Sequence, residues 1–258
     1  MKKLTLFLAT ISLVTVLFAT VMTVHTTTGN QDFEISEITS ITFGNSGEGT
    51  VTDIDGNVYQ TVMIGNQEWM AENLKVTHYR NGDAIPTGLS NSSWSSTTSG
   101  AYAVYNDNES YADTYGYLYN WYAVDDERGI APEGWHIASD AEWMELEITL
   151  GMSESEATDT GFRGTDQGSQ LAGNSSLWTS GNLENNGAFG TSGFTALPGG
   201  CRNSNGNYNY VSCNSYFWSS TVYSDPNAWS RLLGYAYSDV YRNDGAKRTG
   251  FSLRCVRD

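Results

Sequence analysis

The groups able to do chemistry in this 258-residue chain are few and scattered. His78 stands in loop sequence, and His136 lies within Trp135–Ile137, which alternates large apolar and polar groups as a half-buried strand does. A histidine placed like His136 is expected to be structural, and no Ser-His-Asp order accompanies either one. Asp125, Asp126 and Glu127 are consecutive, so their carboxyls point different ways. Asp53-x-Asp55-Gly56 has the start of a calcium loop, but its glycine comes two residues too early, and hairpin-turn chemistry accounts for it better. Asp107, Asn108, Glu109 and Asp113 make a second acidic cluster that reads as a solvated loop. The glycine-rich stretch Asp159–Gly173 lacks the Gly-Lys-Ser/Thr ending of a phosphate cradle. No catalytic residue, metal ligand or cofactor is therefore assigned.

Cysteines and aromatics carry more information. Cys201 and Cys213 bracket CRNSNGNYNYVSC, in which Asn205-Gly206-Asn207 is hairpin-turn material. Positions symmetric about Asn207 would face each other across two strands, so a Cys201–Cys213 disulfide is expected, with Cys255 a buried free thiol. The last third of the chain carries Tyr208, Tyr210, Tyr216, Trp218, Tyr223, Trp229, Tyr235, Tyr237 and Tyr241. Strand alternation cannot send all of these inward, and of the Phe217-Trp218 pair one ring is expected to leave the core face. Tyr208, Tyr210, Tyr223 and Trp229, on two loop-bearing hairpins, are the expected ligand contacts.

The elements that must position these groups are readable in part. Ser139 and Glu142 form a capping box after the strand Trp135–Ile137. The helix that follows places Trp143, Leu146 and Leu150 on one face, and Gly151 is suited to end it. This helix is the expected prop of the core. Earlier, Val51 opens a hairpin turning at Asp55-Gly56, and Gly65-Asn66 makes a second turn. Tyr115, Leu118, Tyr119 and Tyr122 fit a short helix, while Tyr117, Tyr119 and Trp121 also fit a strand; the helix is preferred. A further helical piece is expected at Gln167–Leu171, and from Gly193 onward the chain reads as strand and turn. The fold class is α+β, loop-rich, with short helices followed by a mainly antiparallel sheet.

Lys2 and Lys3 precede an uncharged run from Leu4 to Val24, the pattern of a secretory leader. Its 21 residues also suffice to span a bilayer, so a cleaved signal and a retained anchor both stand. Residues 1–28 are read as that segment, 29–50 as a linker and 51–258 as the domain. Beyond residue 28 the chain has 11 Lys+Arg against 29 Asp+Glu, a net charge of −18. Such a surface repels phosphate backbones and anionic lipid, which argues against nucleic acid and leaves membrane contact to an uncleaved N-terminal segment.

Seven motifs in order carry a family resemblance: Val51–Gln60 (VTDIDGNVYQ), Ile64–Lys75 (IGNQEWMAENLK), Tyr117–Val124 (YLYNWYAV), Pro132–Trp143 (PEGWHIASDAEW), Gly193–Gly200 (GFTALPGG), Phe217–Thr221 (FWSST) and Gly250–Asp258 (GFSLRCVRD). Over about residues 51–258 the chain resembles the Fibrobacter succinogenes major paralogous domain family. It departs at Ala138, where the family commonly has proline, and at Cys201 and Cys213. The resemblance implies an exported or surface-attached bacterial domain. A more distant similarity to formylglycine-generating enzymes implies a C-type-lectin-like core whose first and last strands meet. Asp225-Pro226-Asn227 with Trp229 invites comparison with the calcium site of C-type lectins, but no Trp-Asn-Asp follows and turn sequence explains it. The copper-binding cysteine pair of the enzymes is likewise better explained here by a hairpin disulfide. The leading expectation is a non-catalytic module at the cell surface that binds extracellular glycan, or a surface protein, through exposed aromatics. A structural or display domain for adhesion is the alternative, and an enzyme of the formylglycine-generating type comes third.

Overall fold

The computed structural model describes residues 49–258 together with the backbone of two earlier strands. Those strands, β1 (Val21–Thr26) and β2 (Gly29–Glu34), form an antiparallel hairpin within a separate unit, residues 1–48. Apart from this hairpin, the leader and linker expected over 1–28 and 29–50 lie outside the described residues up to position 48. The second unit begins with β3 (Thr50–Thr52), β4 (Val58–Ile64), β5 (Gln67–Met70) and α1 (Asn91–Ser96). It continues through β6 (Tyr102–Ala103), α2 (Ala112–Tyr115), β7 (Leu118–Tyr119), α3 (Trp121–Val124) and β8 (Trp135–Ile137). Next come α4 (Asp140–Thr149), α5 (Glu154–Thr158), β9 (Gly161–Arg163), α6 (Gln167–Leu171) and α7 (Asn182–Asn185). The chain closes with β10 (Gly199–Arg202), β11 (Tyr208–Val211), β12 (Asn214–Ser224), β13 (Asn227–Gly234), β14 (Val240–Ala246) and β15 (Cys255–Arg257).

The strands form two main sheets, so the fold is α+β. One runs β3-β4-β5-β15-β8 and the other β11-β10-β12-β13-β14-β9, with β6 and β7 as a small pair. All pairings are antiparallel except β10 with β12, where Gly200 lies opposite Ser215. The last strand thus sits inside the first sheet, Val256 opposite both Trp69 and His136.

Local chemistry explains the boundaries. Asp53 accepts from the N–H groups of Asp55 and Asn57 at 3.0 and 2.9 Å and from the Tyr59 hydroxyl at 2.6 Å. Its lone pairs are used by a turn, the reading preferred over calcium. In α4 the Ser139 hydroxyl accepts from the Glu142 N–H, and Glu142 reaches back to the Ser139 N–H at 2.7 Å. At the other end Gly151 takes φ +101°, with Gly151 N–H to the Ile148 carbonyl and Met152 N–H to the Glu147 carbonyl, the paired closure of a Schellman motif. The single helix preferred over Tyr115–Val124 is not formed. Gly116, at φ +70°, ends α2, Leu118–Tyr119 pairs as β7, and Asn120 caps the one-turn α3. The period-two pattern outweighs the helical one because β7 finds a partner in β6.

Trp143 is 1% exposed and sits at the centre of one core. Its ring lies 5.0 Å from Trp69, 5.5 Å from Phe194 and 5.4 Å from Phe217. A second core gathers Tyr59, Tyr79, Tyr119, Trp121, Trp218 and Phe251. The six-stranded sheet separates them, which corrects the expectation for the Phe217-Trp218 pair. Both rings are buried, because at this point the sheet is covered on both faces.

The helix also turns two carboxylates inward. Glu147 accepts from Arg231 Nε and Arg163 Nη2, both at 2.7 Å, and Asp140 accepts from Arg231 Nη1 at 2.7 Å and Arg242 Nη2 at 2.6 Å. Burial alone would raise the Asp140 carboxyl, but the Arg242 and Arg231 guanidiniums outweigh it and hold its pKa below the ordinary value. Arg254, also fully buried, donates to the carbonyls of Met70, Phe194 and Thr195 and to Asn73 Oδ1. Burial depresses its pKa to about 9.

The expected Cys201–Cys213 disulfide is absent, and both are free thiols, as is buried Cys255. The reason is register. Asn203 N–H donates to the Asn207 carbonyl and Gly206 N–H to the Asn203 carbonyl, centring the turn on Asn205 rather than Asn207. Cys201 therefore faces Asn209, and Cys213 lies beyond the end of β11. Burial pushes the Cys201 thiol up to about 12.

Candidate functional site: an aromatic ladder across the six-stranded sheet

The four aromatics expected to contact ligand do not form one surface. Tyr208 and Tyr210 lie on β11, level with the start of β12, while Tyr223 lies near its far end, roughly 20–25 Å along the strand. Tyr223 meets Trp229 edge-on at 4.6 Å. Trp229 is turned to the helix-bearing face, where the Arg242 guanidinium stacks at 3.6 Å from its ring centre. It covers the buried ion network, a structural task. Tyr208 is half-buried, and its hydroxyl donates to Asp107 at 2.6 Å. Burial and then that bond raise its pKa, so the phenol stays neutral.

Tyr210 leads to a different arrangement. It is 53% exposed, and its ring lies 6.3 Å from Tyr216. Tyr216 on β12 is directly opposite Leu232 on β13, Leu232 opposite Tyr241 on β14, and Tyr241 opposite Phe162 on β9. Residues directly opposite in a sheet share a face, so these four form one row across four strands. Alternation puts Phe217, Arg231, Arg242 and Arg163 on the other face, under α4, which frees this row from the core demand on that helix. Tyr237 closes the row, stacked on Phe162 at 4.1 Å, and Phe162 meets Tyr241 at 4.7 Å. Phe162 and Tyr237 are 41% and 49% exposed, and the middle members are half-buried.

Local packing shapes the row. Gly234 has no side chain beside Tyr237 and Asn214, and Asn214 Nδ2 donates to the Tyr216 hydroxyl at 2.8 Å. Tyr216 stacks on Phe251 with planes 10° apart, which fixes its ring, and burial pushes its hydroxyl up to about 12. Tyr216 and Tyr241 are two strand spacings apart, roughly 10 Å. Contiguous exposed apolar groups with polar neighbours mark surfaces that take a ligand.

The remaining candidates are committed elsewhere. His78 Nδ1 meets Asp55 Oδ1 at 2.6 Å on the surface. His136 bridges Glu142 Oε1 and Asp258 Oδ1, each at 2.7 Å. Asp126 and Asp83 hold Arg128, with Asp126 Oδ2 2.8 Å from Nη2. Asn108 caps Ser110, and Asn227 Nδ2 donates to Asp244 at 2.6 Å.

Phe162 drew no attention in the sequence, because nothing local distinguishes an apolar residue between glycine and arginine. Tyr241 and Tyr237 stood in the pool of aromatics without a reason to prefer them, since the register that aligns them is non-local.

No curated protein and no solved structure matches the chain. The sequence model of the Fibrobacter succinogenes major domain matches residues 62–257, from the middle of β4 to the end of β15. The chain belongs to the Fibrobacter succinogenes major domain family.

Proposed function

We propose that this domain is an exported, non-catalytic module that binds extracellular glycan at the aromatic ladder. The observation that carries the reading is the row Tyr216–Leu232–Tyr241–Phe162, extended by Tyr210 and Tyr237. A pyranose presents an apolar C–H face and a rim of hydroxyls. Flat phenol and phenyl rings meet the first, and Asn214 with the tyrosine hydroxyls meets the second. Rings spaced roughly 10 Å apart on alternate strands suit an extended chain of sugars better than a single compact one. The charged leader segment with Lys2 and Lys3 supports export, and the acidic balance of the chain disfavours nucleic acid. The finer fold assignment, C-type-lectin-like, rests on the family resemblance and on β15 being inserted in the first sheet, where its partners are β5 and β8 rather than the opening strand β3.

The test is a pull-down of the 49–258 unit with insoluble polysaccharides, comparing wild type with the double variant Phe162→Ala/Tyr241→Ala. Principal aromatic anchors cost on the order of 2 kcal/mol each when truncated, so affinity should fall by well over tenfold. Both rings lie outside the two cores, so a folded variant is expected. Retained binding by the variant, or no binding by wild type to any polysaccharide, refutes the reading.

A further inference from the structure

At the tip of the β10–β11 hairpin lies an open groove of about 690 Å³. That volume falls within the range of small-ligand sites. Asparagine dominates its lining: Asn106, Asn203, Asn205, Asn207 and Asn209 converge there, with Asp107 and the ring of Tyr208 as walls. Four of the five come from one stretch, Asn203-Ser-Asn-Gly-Asn-Tyr-Asn209, with asparagine at every second position.

The groove is a built feature. Arg202 lies beneath it, 1% exposed, its guanidinium 4.4 Å from the Trp94 ring centre and 5.0 Å from that of Tyr208. It donates to the carbonyls of Gly206 and Leu89 at 3.0 and 2.6 Å, pinning the hairpin tip to the loop before α1. Asn91 Nδ2 donates to Asn207 Oδ1 at 3.0 Å and fixes the opposite wall. Gly206 packs against Asn91 so closely that a Cβ there would come within 2.5 Å of the Asn91 backbone.

What this framework holds in place is unused hydrogen-bonding capacity. Among the described residues, the side-chain amide nitrogens of Asn203, Asn205 and Asn207 donate to no protein group. Asn106 and Asn209 line the same space. Each amide offers a two-hydrogen donor and a carbonyl acceptor without charge, which is the complement of a hydroxyl. The lining carries one carboxylate, Asp107, already accepting from Tyr208, and no exposed cation.

We propose that this groove is a second binding site, specific for a neutral, hydroxyl-rich oligosaccharide. It rests on the glycan-binding reading and deepens it: the ladder takes a flat insoluble surface, and the groove takes a soluble chain or chain end. The amides bridge hydroxyl pairs while the Tyr208 ring backs a C–H face. Acidic sugars are excluded by Asp107 and by the absence of an accessible cation in the lining.

The experiment is an array of soluble neutral and acidic oligosaccharides, probed with wild type, with Asn203→Ala/Asn209→Ala and with Phe162→Ala/Tyr241→Ala. The side chains of the asparagine pair hold no structural bond beyond a contact from Cys201 Sγ to Asn203 Oδ1 at 3.4 Å, and alanine keeps the backbone bonds of the turn, so that variant should fold, which near-UV circular dichroism checks. Wild type should bind at least one neutral oligosaccharide, and the asparagine variant should bind it about tenfold more weakly, as expected for two lost hydrogen bonds. The same variant should keep its pull-down on insoluble polysaccharide, whereas the ladder variant should show the reverse. Unchanged oligosaccharide binding in the asparagine variant, binding of acidic oligosaccharides alone, or no binding to the array overturns the groove proposal and leaves the ladder reading to its own test.

Discussion

Replacing Glu147 by glutamine should destabilise this domain more than almost any other change that conserves shape. Glu147 is fully buried on α4, and each carboxylate oxygen takes one guanidinium N–H at 2.7 Å, from Arg231 and from Arg163. Together with Asp140 it makes two carboxylates against three guanidiniums, so the cluster carries one positive charge in excess, and the amide raises that to two. Removing one partner of a buried pair costs about 3–5 kcal/mol, chiefly because the charge left behind has no compensation. Counting bonds gives a similar figure, since each charge-assisted hydrogen bond contributes roughly 1.5–3 kcal/mol. Glutamine keeps one oxygen acceptor but turns an N–H₂ towards a guanidinium, so little is recovered. For a domain of this size, 3–5 kcal/mol corresponds to a fall in Tm of roughly 6–20 °C. Urea titration followed by circular dichroism measures it, with the midpoint moving at constant slope. The double change Glu147→Met/Arg163→Met should recover part of the loss, because Arg231 still pairs with Asp140. A cost below about 1 kcal/mol for Glu147→Gln would mean that water reaches the cluster, and the argument from burial would fail.

Two further outcomes follow from the same packing. Trp143→Ala should cost about 3–5 kcal/mol in the same titration, and a cost under about 1 kcal/mol would place the helix outside the core. His136 gives a pH dependence: burial opposes its protonation, but hydrogen bonds to Asp258 and Glu142 outweigh that and raise its pKa above the ordinary 6.5. Its contribution to stability is therefore complete below about pH 6.5 and is lost as pH rises through the folded-state pKa. Stability measured from pH 6 to 9 should show this decline in wild type, and a His136→Gln variant with the same slope would remove the assignment.

The parts of this fold that were legible in sequence are those decided by neighbours in the chain. The capping box at Ser139 and Glu142, the glycine closure at Gly151 and the turns at Asp55-Gly56 and Gly65-Asn66 each depend on residues within five positions. Gly116 shows the limit, since a single left-handed residue breaks a helical pattern that four aromatic and aliphatic positions support. The cysteine pairing failed because the turn is centred two residues earlier than expected, which moves the partner of Cys201 from Cys213 to Asn209, and four asparagines and a glycine left that centre ambiguous. The ladder was illegible for a stronger reason. Its members come from strands as far apart as Phe162 and Tyr241, and only the finished sheet aligns them. The inward charges of α4 were likewise invisible, because Glu147 reads as a surface glutamate until Arg163 and Arg231 arrive from two other strands.

The position of β15 has a consequence for how the domain comes into being. The strand is inserted between β5 and β8, so the first sheet remains a meander and a detached strand until residues 255–257 join it. Arg254, just before it, supplies the donors that tie Met70 to Phe194 and Thr195. A chain emerging from the ribosome thus passes most of this domain with neither core sealed. Such high contact order slows closure and ties it to the arrival of residues 255–257. A domain built this way keeps its first sheet open until β15 has paired with both β5 and β8.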